Sequence, residues 1–430
     1  MTIIICPVGS RCNFLPGCSY CFQGETMHND ASLKYDFEAI KRSLLEVWKG
    51  PYQGSDVCLH GGECLLTPLP ELEKLLSLIY NLPWKGGGVK RTSAIMTNGT
   101  LITEEHIQLF KKYNTHVGIS MDGPSNLNVM RGFNPSDPEA TRRYNARLNA
   151  TIKRLREMRV PVSIICVLHS KNAGTKEMRQ QLGGWVLQLK EMGITSGRFN
   201  PVECNEHPEY ELSQEQLFQM WVNVYGWNKK YGVSWNPAVE MEKNLTGENK
   251  HPQSCGFDRC DPFSTHTFSI LPNGQTGNCD KTFGSGFYPR SGSNSSCGRY
   301  EALRQTECMG CPYITICGGG CPFDSAEGDW RHKSRYCEAI RKTYSYIEKR
   351  LREEKPGIKL SIDAQPKVQE TVEPSGNRAH GDTPHGDSNH QDDYHGDAPH
   401  GDSLHGDTAH QDMVHADDAH GDSTHFDEGG

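Results

Sequence analysis

Three cysteines crowd into one short stretch near the start of the sequence, RCNFLPGCSYCFQ, from Arg11 to Gln23. Cys12, Cys18 and Cys21 have Pro and Gly between them and aromatic residues beside them, which is loop composition. Such a trio reads as a disulfide knot, a zinc loop or an iron–sulfur site. Zinc takes four protein ligands in structural sites, and three with a water in catalytic ones. An iron–sulfur cube that only carries electrons takes four cysteines, so three thiolates would leave one iron open to a further ligand.

A second group lies far along the chain: Cys255, Cys260, Cys279, Cys308, Cys311, Cys317, Cys321 and Cys337. A zinc ribbon would use two CX2C pairs and leave the rest of this spacing unexplained. The two groups take eleven of the 17 cysteines. Of the rest, Cys58 and Cys166 fall in apolar runs and read as buried structural residues. Cys6, Cys204 and Cys297 carry no motif, and Cys64, in HGGECLL, reads as a small space-filling residue rather than a nucleophile. The opening MTIIICPVGS has no secretory pattern. No apolar run reaches the ~18 residues of a membrane span. The expected compartment is the cytoplasm, where thiols stay reduced and so many cysteines favour metal over disulfides.

The elements that must position these residues are legible as an alternation. The β-rich runs TIIIC, SDVCLH, RTSAIMTN, THVGISMD, VPVSIICVLH and TSGRFNPVE are separated by helical patterns: FEAIKRSLLEVW, LPELEKLLSLIYNL, EEHIQLFKKY, RLNATIKRLREM and TKEMRQQLGGWVLQLKEM. This order predicts an α/β fold with a parallel sheet and crossover helices, open or curved into a partial barrel, over residues 1–230. Chemistry in such folds collects at the carboxyl ends of the strands, where HGGE, TNGT and SMDGP stand. Residues 231–354 form a smaller cysteine- and glycine-rich region with a closing helix, EAIRKTYSYIEKRLREE, and residues 355–378 read as a linker.

Residues 379–430 are a pentapeptide repeat. His recurs at every fifth position from His380 to His425, with Asp two residues after each. The segment has almost no apolar content, which predicts disorder. It holds twelve Asp and one Glu with no Lys or Arg; removing those thirteen charges from the net −8 leaves +5 for residues 1–378. With no basic arm and no nucleic-acid motif, the sequence argues against nucleic-acid binding.

Together, the strand-end motifs carry a resemblance. The first cysteine loop resembles that of radical S-adenosylmethionine (SAM) enzymes, usually CX3CX2C with an aromatic residue before the last Cys. Here the spacing is CX5CX2C and Tyr20 fills the aromatic place. HGGECLL resembles the family's GGEP motif, with Cys64 where Pro is usual. The resemblance implies a [4Fe–4S] cluster on Cys12, Cys18 and Cys21, SAM on its open iron, and SAM contacts from Tyr20, Gly61, Gly62, Glu63, Ser120 and Arg131. The second cysteine group resembles the SPASM extension of peptide- and protein-modifying members. The family's interleaved ligation would give Cys255, Cys260, Cys279 and Cys321 one auxiliary [4Fe–4S] cluster, and Cys308, Cys311, Cys317 and Cys337 another. The implied architecture is a partial (β/α)6 radical SAM barrel, a small cysteine-rich SPASM domain and a disordered repeat tail.

The activity so implied is reductive cleavage of SAM, supplied with electrons by a flavodoxin- or ferredoxin-type reductant, to give methionine and a 5′-deoxyadenosyl radical. That radical abstracts hydrogen from a peptide or protein substrate, whose net oxidation yields a crosslink, a thioether or a similar product. Asp280, directly after Cys279, stands where anaerobic sulfatase-maturing enzymes carry a proton-accepting Asp. Formylglycine formation from Cys or Ser is therefore the alternative, although the following KTF departs from that pattern. A non-enzymatic iron–sulfur electron carrier would need neither an open-cornered loop nor HGGE. The chain begins at its first strand, which leaves three routes to a substrate: a separate leader-binding protein, direct recognition, or a substrate already attached. The tail is read as a divalent-metal chelator ahead of a cis substrate. Its strict register argues against mere solvation.

Overall fold

Short β-branched and apolar runs build the centre of this fold, a computed structural model that describes residues 2–14, 17–21, 34–49, 55–83, 93–132, 137–202, 208–248, 267–277, 279 and 298–364. Every described residue lies in one unit, residues 1–369.

Strands β1 (Thr2–Ile5), β2 (Asp56–Leu59), β3 (Ser93–Thr97), β4 (His116–Ser120), β5 (Val162–Leu168) and β6 (Ser196–Pro201) pair in sequence order, all parallel. Their registers are level: Ile5 faces Leu59, Leu59 faces Ile95, Thr97 faces Ile119 and Leu168 faces Pro201. The carboxyl ends of all six therefore share one edge of the sheet. β5 shows the pattern that buries it, with Val162, Ile164, Cys166 and Leu168 inside and the residues between them half-exposed.

The crossovers are the amphipathic helices α1 (Phe37–Trp48), α2 (Leu69–Tyr80), α3 (Glu104–Lys112), α4 (Pro138–Glu157), the single turn α5 (Ser170–Ala173) and α6 (Lys176–Glu191). Polar side chains start several of them: Asp36 accepts from Ala39 N at the head of α1, and Thr175 from Met178 N at the head of α6. α4 begins nine residues before the expected pattern RLNATIKRLREM, at Asp137–Pro138, where a capping carboxylate precedes a Pro at the first helical position.

Beyond β6 the fold goes further than the anticipated six strands. Helix α7 (Gln214–Tyr231), strand β7 (Ser234–Asn236) and helix α8 (Ala238–Thr246) follow, and β7 lies parallel to β6. Strand β8 (Thr267–Ile270), from the cysteine-rich region, lies parallel to β1 on the opposite flank and carries β9 (Thr276–Gly277) antiparallel beside it. The described strands thus form one sheet in the order β7-β6-β5-β4-β3-β2-β1-β8-β9, which runs through the anticipated 230/231 boundary.

Helices α9 (Gly298–Gln305), α10 (Ile314–Cys317) and α11 (Cys337–Glu354) complete the described chain. α11 packs on α7 and α8, with Asn244 Nδ2 donating to Tyr344 Oη at 3.0 Å and Ala339 N to Gln214 Oε1 at 2.9 Å. No described helix is long and apolar enough to cross a membrane.

Candidate cofactor site at the carboxyl edge of the sheet

The loop after β1 docks on the loop after β2 through backbone hydrogen bonds. Gly62 N donates to Gly9 O at 2.9 Å and Glu63 N to Arg11 O at 2.8 Å. A Cβ at position 62 would stand 2.1 Å from Arg11 O, and one at 61, where φ is +113°, 2.4 Å from Gly9 O. Both glycines are therefore required for the approach. The same docking brings Cys12, Cys18 and Cys21 into mutual electrostatic reach. Burial pushes the Cys18 thiol up to about 12 and raises that of Cys12, with the charge of Cys21 adding to both. Buried thiols of this kind lose their protons when a metal supplies the compensating charge.

Glu63 is fully buried. Its Oε1 accepts from Leu65 N at 3.0 Å and Thr97 Oγ1 at 2.8 Å, and its Oε2 from Asn98 N at 2.7 Å. Burial raises its pKa, while the bonds from Asn98, Leu65 and Thr97 pull the other way. Asn98 in turn donates to Asn13 Oδ1 at 2.8 Å, so the TNGT turn, the HGGE turn and the cysteine loop form one polar assembly. Cys64 is buried with its thiol donating to Met96 O at 3.0 Å and its pKa pushed well up by burial.

On the far side of the loop, Tyr20, Arg131 and a residue the motif reading did not single out, Asp122, meet in the interior. Tyr20 Oη donates to Asp122 Oδ2, and Arg131 Nη2 donates to Asp122 Oδ1 at 2.9 Å. The guanidinium carbon of Arg131 lies 5.7 Å from the centre of the Tyr20 ring. Burial works against the Arg131 charge, but Asp122, Tyr20 and Cys18 outweigh it and hold its pKa well above the ordinary value. Arg131 Nε is buried with no hydrogen-bond partner among the described residues. Ser120 sits partly exposed at the end of β4. His169 and Asn172, at the end of β5, were also unmarked in the sequence; the signal was their place at a strand end, as for Asp122.

In the second cysteine group, Cys308, Cys311, Cys317 and Cys337 come within electrostatic reach of one another. Burial pushes Cys308 to about 11 and Cys317 to about 12. Cys321 is buried nearby in sequence, and Cys279 is partly exposed. Between Cys317 and Cys321, Gly318, Gly319 and Gly320 all have positive φ. Their carbonyls turn onto one buried guanidinium, that of Arg299, at 3.0–3.3 Å, which also donates to Trp330 O and His332 O at 2.6 and 2.7 Å. Cys204, Cys255, Cys260, Asp280 and Cys297 lie outside the described residues.

The residues present fit a cluster and an anionic ligand. Among the described residues, no three His, Cys, Asp or Glu side chains converge on a single ion. A cube asks for something else, since each thiolate takes its own iron. The three thiols lie within electrostatic reach of one another, and Arg131 Nε is a buried cationic donor with no acceptor among the described residues.

Residues 6–182 match the family model described as the radical SAM superfamily. The chain carries a radical SAM domain. It is 23% identical over 381 residues to the cysteine-type anaerobic sulfatase-maturating enzyme of Clostridium perfringens, covering 82% of this chain and 97% of that protein. Identity is 24% over 348 residues with the serine-type enzyme of Klebsiella aerogenes, covering 74% and 79%. A solved structure of native anSMEcpe with bound AdoMet and the Cp18Cys peptide shares its fold, at a TM-score of 0.63 and 20% identity over 82% of this chain and 98% of that one. Streptococcus suis SuiB bound to S-adenosylmethionine does so at 0.53 and 17%, over 78% and 76%. The matched stretch thus begins directly after β1, runs through β5 and ends within the first half of α6, with the site described above at the carboxyl edge of its strands.

Proposed function

We propose that this chain is a radical SAM maturase that oxidises a residue of a peptide or protein substrate. The observation that carries this reading is the three-cysteine loop closed onto Gly61–Glu63 at the same strand edge as a buried, incompletely satisfied Arg131. Cys12, Cys18 and Cys21 would hold a [4Fe–4S] cluster that, with SAM on its open iron, supplies the one-electron chemistry. Around it the side chains bind and orient. Arg131 Nε offers a charge-assisted bond to the SAM carboxylate. Glu63 Oε2, with one described donor, keeps a lone pair for the ammonium. Ser120 and Tyr20 line the same edge.

Cys308, Cys311, Cys317 and Cys337 would hold one auxiliary cluster, and Cys255, Cys260, Cys279 and Cys321 the other, to accept the second electron of a net two-electron oxidation. Asp280 beside Cys279 would take the substrate's proton, and a flavodoxin or ferredoxin would feed the first cluster. The His-x-Asp tail would bind divalent metal.

A second reading, formylglycine formation from Cys or Ser, is favoured by the names of the relatives and of the peptide-bound structural neighbour. One experiment tests both. The full-length protein, reconstituted anaerobically, is given SAM, reductant and a sulfatase-type peptide, and 5′-deoxyadenosine and peptide masses are followed. SAM cleavage that vanishes in Cys18→Ala supports the maturase, and wild-type cleavage in that variant sinks it. Conversion of the peptide's Cys or Ser to the aldehyde selects the second reading. An unmodified peptide moves the substrate search elsewhere, beginning with the mass of residues 379–430.

A further inference from the structure

The inference concerns Asp122 and rests on the reading of Arg131 as the SAM-carboxylate donor. Asp122 is fully buried, yet four parts of the fold converge on it. Oδ1 accepts from Arg131 Nη2 and from Val167 N, both at 2.9 Å. Oδ2 accepts from the Tyr20 hydroxyl and lies 3.9 Å from His169 Nε2. Its backbone is fixed as well, its N–H donating to Asn128 Oδ1 at 2.8 Å and its carbonyl accepting from Asn172 Nδ2 at 3.0 Å.

We propose that Asp122 is a positioning residue that fastens Tyr20, on the cysteine loop, to Arg131, so that order in the loop and aim of the guanidinium are one event. The geometry explains how. With Nη2 committed to Asp122 and the guanidinium held beside the Tyr20 ring, Arg131 keeps Nε, buried and without a hydrogen-bond partner among the described residues, for an anion. A buried guanidinium needs its counter-charge to keep that orientation. Loosening Tyr20 takes away the ring beside the guanidinium and frees the Asp122 oxygen that faces it. By linkage, an ordered cysteine loop tightens the anion site, and an anion bound there steadies the loop.

His169 makes the coupling testable without breaking the fold. Its Nδ1 accepts from Lys171 N at 3.2 Å, which leaves the proton on Nε2, a buried donor with no hydrogen-bond partner among the described residues. When the Tyr20 hydroxyl is removed, this N–H is the next donor within reach of Oδ2, so Tyr20→Phe keeps Asp122 supplied.

The test uses the full-length protein reconstituted anaerobically with iron and sulfide, measuring iron content, SAM affinity by equilibrium dialysis, and the EPR spectrum of the reduced protein with and without SAM. Tyr20→Phe is expected to hold wild-type iron, to bind SAM about tenfold more weakly and to lose part of the SAM-induced spectral change. Asp122→Asn is expected to weaken SAM at least as much, and the double variant no more than Asp122→Asn alone, because both act through one fastener. If Asp122→Asn does not fold, the cycle runs with Arg131→Lys, on which Tyr20→Phe should have no further effect. SAM affinity in Tyr20→Phe within about twofold of wild type, or losses that add in either cycle, would overturn the proposal. A wild-type protein that loads iron but neither binds nor cleaves SAM would overturn the functional reading and this inference with it.

Discussion

A methyl group at position 62 has nowhere to go. Its nearest neighbours, Arg11 O at 2.1 Å and Ser10 O at 2.3 Å, are backbone atoms of the cysteine loop, and neither can rotate aside. Gly62→Ala is expected to lower stability by about 1–3 kcal/mol in urea denaturation and to lower iron retention with it. Gly184, in α6 with nothing within 4 Å of its Cβ, is the contrast: Gly184→Ala should stabilise by roughly 0.5–1 kcal/mol. His169 gives a pH signature. Burial holds its pKa down at about 4, with Asp122 pulling it up and Arg131 and Lys171 pushing it down. The unfolded chain takes up this proton below about pH 6.5, whereas the fold resists until about pH 4. The stability His169 contributes is complete above pH 6.5 and falls away between 6.5 and 4, by about 3 kcal/mol in all. That part of the pH dependence should be missing in His169→Gln, and equal slopes in both proteins would contradict it. The sequence displayed the cysteines and glycines of this site because their chemistry depends on type and spacing. It did not display Asp122 and His169, whose importance comes from partners on several other elements.

At the scale of elements, what holds the site is a set of helix starts and one buried cation. Asp137 Oδ1 accepts from Glu139 N at 3.0 Å and Ala140 N at 2.9 Å at the head of α4. That helix presents Tyr144, which donates to Asn98 O at 2.9 Å and supports the TNGT turn. Asp137→Ala should lose about 1 kcal/mol on denaturation. Arg299 matters more, because its guanidinium serves five backbone carbonyls, three of them in the glycine run between Cys317 and Cys321. Lysine has no planar fork to reach them. Arg299→Lys is expected to lose about 3 kcal/mol or more and to lower iron content while the first cysteine loop still loads. Full iron in a variant of wild-type stability would refute that role. The six strands and their crossovers were readable because each carries its own hydrophobic period. α7 was not among the helical patterns read, although the Ser213–Gln216 capping box marks its start. β8 was legible as a short strand in HTFSILPNG, but its place beside β1 joins residues some 260 positions apart, which no local pattern encodes.

At the scale of the whole molecule the sequence is two chemistries in one chain. Residues 1–378 carry a net +5 and residues 379–430 a net −13. Ten of the 19 histidines lie in that short acidic segment, each with an aspartate two residues on. Two chromatographies separate the contributions of charge and chelation. Near pH 7 the full chain should bind an anion exchanger and a chain ending at residue 378 a cation exchanger, a consequence of charge alone. On immobilised nickel, the full chain without any tag should be retained at pH 8 and released near pH 5, as imidazoles of ordinary pKa ~6.5 take up protons and leave the metal. Carboxylates alone would hold on at pH 5, so the pH of release identifies the ligand. The shortened chain keeps nine histidines. Its flow through nickel would place chelation in the repeat, and equal retention of both chains would place it in the body and leave the repeat's register to substrate chemistry instead.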